Sequence, residues 1–413
     1  MIKFPPPIKF IYKHIYLILF EGMYMAAQPP KPSLAPVIFL ALSALIAGAA
    51  FGIYGPLIPV HATELGAPMA IAVAMVMALP SIPSLILLLP IGIYADKTGR
   101  RKEIIMVGLL LAILFNALLG MAKTWVELAI YRAIAGIVFA FTSLYMVIGA
   151  LIAPEKIRGT ILGILAGSMM LGMGVSQLFV GSIFTALGGS YQSVYFLAAG
   201  LAVVALLFMV PVKAPKVQLP AMKASDIATV LKTKGVFVTA IAICLYLIGW
   251  NFIYPSLSIV LQGIYQAPPE VYSLAMGVAT IMLGVGTYIW GPVVDRLGGK
   301  RTLLLALISS SIITFIMYPA LGSMWAYTIL FWLVTLFGVV GMPGTSYVAT
   351  RSVKPELTSV AVTAIFMAIS VASIVGAFVG GALLEGLGLA TTILVAAVLE
   401  LIGAIGMLGL PKV

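Results

Sequence analysis

Gly92-Ile93-Tyr94-Ala95-Asp96-Lys97-Thr98-Gly99-Arg100-Arg101-Lys102 is answered, 199 residues later and without a gap, by Gly291-Pro292-Val293-Val294-Asp295-Arg296-Leu297-Gly298-Gly299-Lys300-Arg301. Each stretch joins two long apolar runs. Each starts on a glycine that would let helices approach closely, sets an Asp four residues on, turns at a glycine and closes on basic residues. Pro56 and Pro255 keep the same offset, and Pro154-Glu155 and Pro355-Glu356 match at 201. Agreement at three separate places marks an internal duplication and not a coincidence of composition.

The flanking sequence says what was duplicated. Of the 413 residues, 62% are hydrophobic and 8% charged, with a mean hydropathy of +1.19. A soluble domain is about a quarter charged. That gap excludes a soluble enzyme, a nucleic-acid binder and a disordered chain. Short segments alternating apolar with polar, the mark of a membrane β-barrel, are absent. The fold class is an all-α membrane protein, with twelve spans at 35–60, 69–94, 103–122, 127–150, 161–184, 193–212, 236–260, 272–293, 302–321, 325–347, 359–383 and 390–409. They divide as a tail (1–34), a six-helix bundle (35–212), a linker (213–235) and a second six-helix bundle (236–413).

The net charge of +11 and pI near 9.6 are explained by location. Of the 23 Lys and Arg, all but Lys123 and Arg132 fall in the tail, the C-terminus or the loops on one side. That side is expected to be cytoplasmic, with both termini on it, in the cell membrane of a prokaryote. The basic residues then serve topology and contact with anionic lipid, not nucleic acid. In the tail, the run Ile15 to Phe20 is too short to span. It reads either as an interfacial helix or as sequence upstream of a natural start at Met23 or Met25. One cysteine, Cys244, and two histidines, His14 and His61, leave no basis for a disulfide, a metal site or a resident cofactor. No constellation of catalytic residues stands out, so the chain is not expected to be an enzyme. His61, at the outer end of the first span, reads as an exposed loop residue of no special role.

With these residues in view, the sequence resembles the major facilitator superfamily over essentially 35–410. The stretch from Gly92 is similar to that family's loop motif A, and the stretch from Gly291 to its degenerate second copy. Arg132 and Gly136 match the spacing of motif B in span 4, and Glu155-Lys156-Ile157-Arg158-Gly159 resembles the loop 4–5 turn. The resemblance implies two pseudo-symmetric bundles around a central cavity, working by alternating access as a monomer. It also implies a cytoplasmic gate in which Gly92, Asp96, Gly99, Arg100, Arg101, Gly291, Asp295, Arg296 and Arg301 take part, Asp96 lying near Thr358-Ser359 at the start of span 11. Span 5 departs from the drug/proton antiporter pattern: Ser176-Gln177 stands where motif C has Gly-Pro.

Ionisable residues inside a span are costly and therefore mark function or a defined partner. Arg132 shares a face of span 4 with Tyr131, Thr142 and Ser143, and is expected to bind an anionic group or tune a proton site. The alternative is that it bonds backbone and holds helices together. Glu400, on a small-residue face of span 12 with Ala396, Ala397, Gly403 and Ala404, should point into protein. It reads as a proton carrier or, preferably, as a protonated structural residue. Tyr131, Gln177, Tyr246, Trp250, Asn251 and Tyr254 are the candidate substrate lining, aromatic and nearly uncharged. That lining suits a lipophilic or neutral solute, or a cation held against rings. The expected function is a secondary transporter exporting a small hydrophobic or weakly charged solute, with protons as the coupling partner. An uptake symporter or uniporter of a neutral or carboxylate metabolite stands as the alternative, followed by a receptor or lipid scramblase reusing the fold.

Overall fold

Backbone amides have no water to bond in hydrocarbon, so apolar runs of this length must close their hydrogen bonds internally as helices. A computed structural model describes residues 35–153, 158–217, 224–354 and 357–411, and among them every regular element is helical. The tail and the Glu155-Lys156-Ile157 part of the loop 4–5 turn lie outside the described residues. Span 1 comprises Ala35–Gly52 and Ile58–Glu64, span 2 Met69–Ala74 and Ala78–Thr98, and span 3 Arg101–Met121. Span 4 runs in three pieces, Trp125–Ala135, Ile137–Thr142 and Leu144–Ile152. Span 5 is Arg158–Ala186 and span 6 Tyr191–Met209. A linker helix, Ala224–Leu231, leads to span 7, Lys234–Ile253 and Leu257–Gly263. Spans 8 and 9 are Pro269–Leu297 and Gly299–Met317, and span 10 is Met324–Gly338 with Gly341–Arg351. Thr358–Gly406 holds spans 11 and 12 in one assigned helix that breaks at Gly388, where φ is 76° and ψ 173°. Eleven helices are long and apolar enough to cross a membrane when this element counts once, and the break makes twelve.

The observed helices outrun the apolar cores by a few residues, because their last turns are polar. The breaks in spans 1 and 7 carry Pro56 and Pro255, which cannot donate to the helical ladder. Span 4 starts on a capping box, the Thr124 hydroxyl accepting from the Glu127 amide and the Glu127 carboxylate accepting in return.

Spans 1–6 and 7–12 form two bundles, which meet where span 5 lies along span 8 and span 2 along span 11. The 5–8 contact is a backbone approach. A β-carbon on Gly277 would stand 2.5 Å from the Leu178 amide nitrogen and 2.9 Å from the Gly174 carbonyl oxygen. This glycine-on-glycine meeting is the seam of the molecule. Toward the face opposite the basic loops, the Thr185 hydroxyl donates to Glu270, and the Met69 amide donates to Glu385 at 3.2 Å. Both bonds cross between the halves.

At the basic face each half fastens its own ends. Lys102 Nζ donates to the Val210 carbonyl at 2.6 Å, and Lys300 Nζ to those of Leu408 and Leu410, both at 2.6 Å. An ammonium at a helix C-terminus meets carbonyls with no intrahelical partner and the negative end of the dipole. A lysine at the basic end of each loop motif thus ties span 3 to the end of span 6, and span 9 to the end of span 12.

Candidate functional site

The paired breaks set the level of the site. In the first half, the break in span 1 presents Tyr54 and Gly55, and the break in span 2 frees the carbonyls of Met75 and Val76. Arg132 reaches all of this from span 4. Its Nε donates to Met75 O at 2.9 Å, its Nη2 to Val76 O at 3.1 Å and its Nη1 to the Tyr54 hydroxyl at 2.9 Å. The guanidinium also lies 5.1 Å from the Tyr54 ring centre, and the residue is 4% exposed. In this conformation it fixes span 4 to spans 1 and 2.

At the seam the polar groups are neutral. Thr280 Oγ1, in span 8, donates to Gln177 Oε1, in span 5, at 2.6 Å. The Tyr254 hydroxyl, at the break in span 7, lies 3.1 Å from the same Thr280 oxygen. The one proton of Thr280 is shared between the carbonyl oxygens of Gln177 and, at 3.0 Å, Met276, so Tyr254 is the donor in its pair with Thr280. Trp250 stacks on Tyr254 with ring centres 4.2 Å apart, and Tyr254 stacks on Phe331 at 5.8 Å. The Gln177 side chain also packs on Gly55, where a β-carbon would stand 2.9 Å from its Nε2. Gln177, Trp250 and Tyr254 therefore come together, and Thr280 and Gly55 join them.

The remaining candidates are elsewhere. Tyr246 is fully buried inside the second half, its hydroxyl donating to Ser310 Oγ at 2.6 Å. Asn251 bonds its own helix through Nδ2 to Leu247 O at 2.7 Å and packs against Gly376 of span 11. Tyr131 is half-buried against the core around the breaks. Glu400 is 0% exposed and points into protein. Its Oε2 accepts from Thr314 Oγ1 at 2.8 Å, Gly249 packs on its side chain, and Oε1 has no partner among the described residues. These contacts belong to spans 7 and 9 of its own half, away from the seam.

The two loop motifs differ. In the first, Gly99 takes φ 68°, a left-handed turn open to glycine, and sits against the backbone of Lys216 and Val217. Arg101 is buried there, Nη2 on Asp96 Oδ1 at 2.7 Å and Nη1 on Val217 O at 2.6 Å. Asp96 is thus held by its own loop; the side chains of Thr358 and Ser359 lie outside the described residues. Arg100 is exposed and lines a cavity of about 390 Å³ with Tyr94, Glu103 and Phe141. Asp295, Arg296 and Arg301 of the second copy are exposed and form no ion pair among the described residues. Gly92 and Gly291 are not the close approaches expected of them. Among the described residues a β-carbon on either would meet nothing within 4 Å, because spans 2 and 8 leave open space at that depth.

His61 also departs from expectation. It is half-buried on the last helix of span 1, stacked on Tyr191 at 4.1 Å and 3.1 Å from the Tyr195 hydroxyl. Tyr191 donates to Glu64 at 2.8 Å, and the Tyr195 ring leans on Tyr54 at 5.4 Å. An aromatic column therefore runs from the surface to the Arg132 site. Beside it is a cavity of about 330 Å³ lined by His61, Lys123, Gln192 and the end of span 3.

Two helical bundles meeting on a glycine seam, with polar groups buried at paired helix breaks, define a secondary-transporter architecture. The Major Facilitator Superfamily profile matches residues 40–242 and 239–412. The chain belongs to the major facilitator superfamily. Over 126 residues it is 33% identical to citrate exporter 1 of Aspergillus niger, a match covering 29% of this chain and 23% of that protein. The matched stretch thus spans under a quarter of the curated relative. Among solved structures, the nucleoside transporter NupG, as a single-site mutant, superposes with a TM-score of 0.76 at 15% identity, covering 91% of this chain and 100% of that one. A bacterial homologue of the human lysosomal transporter Spinster, in an inward-facing unoccupied conformation, gives 0.73 at 13% identity, covering 93% and 98%. At such identities the likeness is one of fold.

Proposed function

We propose that this chain exports a small, predominantly apolar or weakly charged solute across the cytoplasmic membrane by alternating access, in exchange for protons. The observation that carries the reading is the neutral relay Gln177–Thr280–Tyr254, backed by Trp250, which crosses the seam at the level of the paired breaks. A site there touches both halves, so its occupancy bears on their relative position. Aromatic faces and neutral hydroxyl and amide groups suit an apolar body with few polar handles. The partial likeness to a citrate exporter supports the direction.

One observation favours a second reading, a symporter or uniporter. Among the described residues no carboxylate bonds the relay: Glu270 and Glu385 lie toward the opposite face, Asp96 at the basic face, and Glu400 within the second half. The test uses inside-out vesicles with an imposed proton gradient and three fluorescent lipophilic solutes, one neutral, one cationic and one monocarboxylate. Accumulation of at least one that collapses with an uncoupler is the expected result. Accumulation indifferent to the uncoupler would remove proton exchange and leave the uniporter; none at all would remove the exporter.

Glu400 is assigned a structural role in this scheme. Glu400→Gln keeps an oxygen for the Thr314 hydroxyl and should change stability by no more than about 1 kcal/mol. The pH profile of transport should be unaltered. A flattened profile in this variant would return coupling to Glu400.

A further inference from the structure

The internal duplication supplies a control for Arg132. In each half, a side chain from the fourth span of that half donates to a carbonyl of the second. In the second half the donor is Trp332, whose Nε1 lies 2.8 Å from Ala275 O. In the first it is Arg132, on Met75 O and Val76 O. Val76 and Ala275 stand 199 residues apart, the offset of the loop motif. The residue at that offset from Arg132 is Phe331, immediately before Trp332. The two contacts differ in what they meet: the indole places one bond on a carbonyl of the unbroken span 8, and Arg132 places two on carbonyls that the break in span 2 leaves free. Either needs N–H donors and not a formal charge, and the guanidinium brings one.

That charge has no carboxylate partner among the described residues. The ion pairs among the described residues, Arg101–Asp96 and Lys216–Glu103, are both at the basic face. Arg132 meets only carbonyls and a phenol, and each of its terminal nitrogens carries a second N–H beyond the bonds given above. A buried cation without a counterion is costly, and an anion arriving beside it relieves that cost. Tyr54 binds the guanidinium, and its neighbour Gly55 touches Gln177 of the seam relay. The charge thus stands one residue behind the site.

We infer that Arg132 determines specificity, and that the solute is a monoanion: one carboxylate directed to Arg132, with an apolar or aromatic body against Trp250, Tyr254 and Phe331. This rests on the transporter reading given above. A single buried cation matches a single charge. A tricarboxylate would bring two charges that no cation at this level meets, so the likeness to a citrate exporter does not extend to its substrate.

The experiment uses the full chain in nanodiscs at pH 7.5 with three acid–amide pairs (benzoate and benzamide, octanoate and octanamide, indole-3-acetate and indole-3-acetamide) and citrate. Binding is read by thermal shift and tryptophan fluorescence. At least one acid should bind tenfold or more tighter than its amide and than citrate. Arg132→Gln should bring acid and amide within twofold, and Arg132→Lys should keep part of the preference. Should Arg132→Gln not fold, Tyr54→Phe serves: it leaves the carbonyl tether intact, removes the competing acceptor and should widen the acid preference about threefold. Equal binding of acid and amide, no binding by any probe, a preference that survives Arg132→Gln, or a Tyr54→Phe preference that does not widen would each overturn the inference. Flux in proteoliposomes separates the two readings. Amides carried as well as acids would sink the anion site and keep the transporter; acids bound selectively but not carried would do the reverse.

Discussion

Gly277→Val is expected to cut transport below a tenth of the native rate while the chain still inserts and folds. The valine β-carbon would meet the Leu178 amide and the Gly174 carbonyl, backbone atoms that cannot swing aside. Relief comes only by parting span 8 from span 5. Overpacking of this kind costs about 1–3 kcal/mol. Because the contact joins two halves instead of closing a core, that cost falls on the arrangement in which the seam is packed and shifts a two-state equilibrium roughly ten- to hundredfold. A chain whose one cysteine has been removed by Cys244→Ser can carry a reporter as Met69→Cys, beside Glu385 at the opposite face. The reporter should react faster with an impermeant maleimide when Gly277→Val is present. Native transport and unchanged labelling would show that the glycine contact is incidental to the motion.

The second large effect is expected at Arg101. Its side chain is buried and divides its bonds between Asp96 and the carbonyl of Val217, where the first bundle runs into the linker. Arg101→Ala leaves the Val217 carbonyl and one carboxylate oxygen without their donor. Asp96 is 25% exposed at its side chain, so water recovers part of its loss, and the cost should be roughly 1–3 kcal/mol instead of that of a fully buried pair. Thermal unfolding in detergent should show it as a drop of several degrees. Arg101→Lys should fall between, because an ammonium cannot fork to two acceptors held apart. In the second loop the register-matched position is Lys300, which is tied to Leu408 and Leu410 instead; the arginine one position on is exposed, and Arg301→Ala should leave the melting temperature nearly as it was. Equal losses at the two positions would contradict the asymmetry between the loops.

Hydropathy made the spans legible because a helix that must satisfy its own backbone in lipid leaves a continuous apolar run. The duplication was legible because Asp96 and Asp295 keep register. The breaks were only partly so. Pro56 and Pro255 stand at those in spans 1 and 7, though the sequence was read there only for their shared offset; nothing in Met75-Val76-Met77 announces a break, since the Met75 and Val76 carbonyls find their donor in Arg132, on another helix. Helical projection brought Tyr246 and Asn251 onto the same arc as Trp250 and Tyr254. It could not say which of them faces the other half. Tyr246 packs against Gly403 of span 12 and Asn251 against Gly376 of span 11, so small residues on the partner helices decided the matter. Thr280 went unnoticed because a hydroxyl in a span ordinarily bonds its own preceding turn. This one does so too, at 3.0 Å to Met276 O, and reaches Gln177 as well. His61 was misjudged because the aromatic residues that enclose it come from span 6, far along the chain.

The lysine fastenings at Val210 and at Leu408 and Leu410 bear on how force would pass through the molecule. Each ties the loop between the second and third helices of a bundle to the end of its sixth, so rods packed along their length are also pinned at one end. Rods pinned in this way resist shear and turn as one lever. A push delivered at the seam therefore moves the far rim of the bundle instead of being absorbed by helices sliding past one another within it.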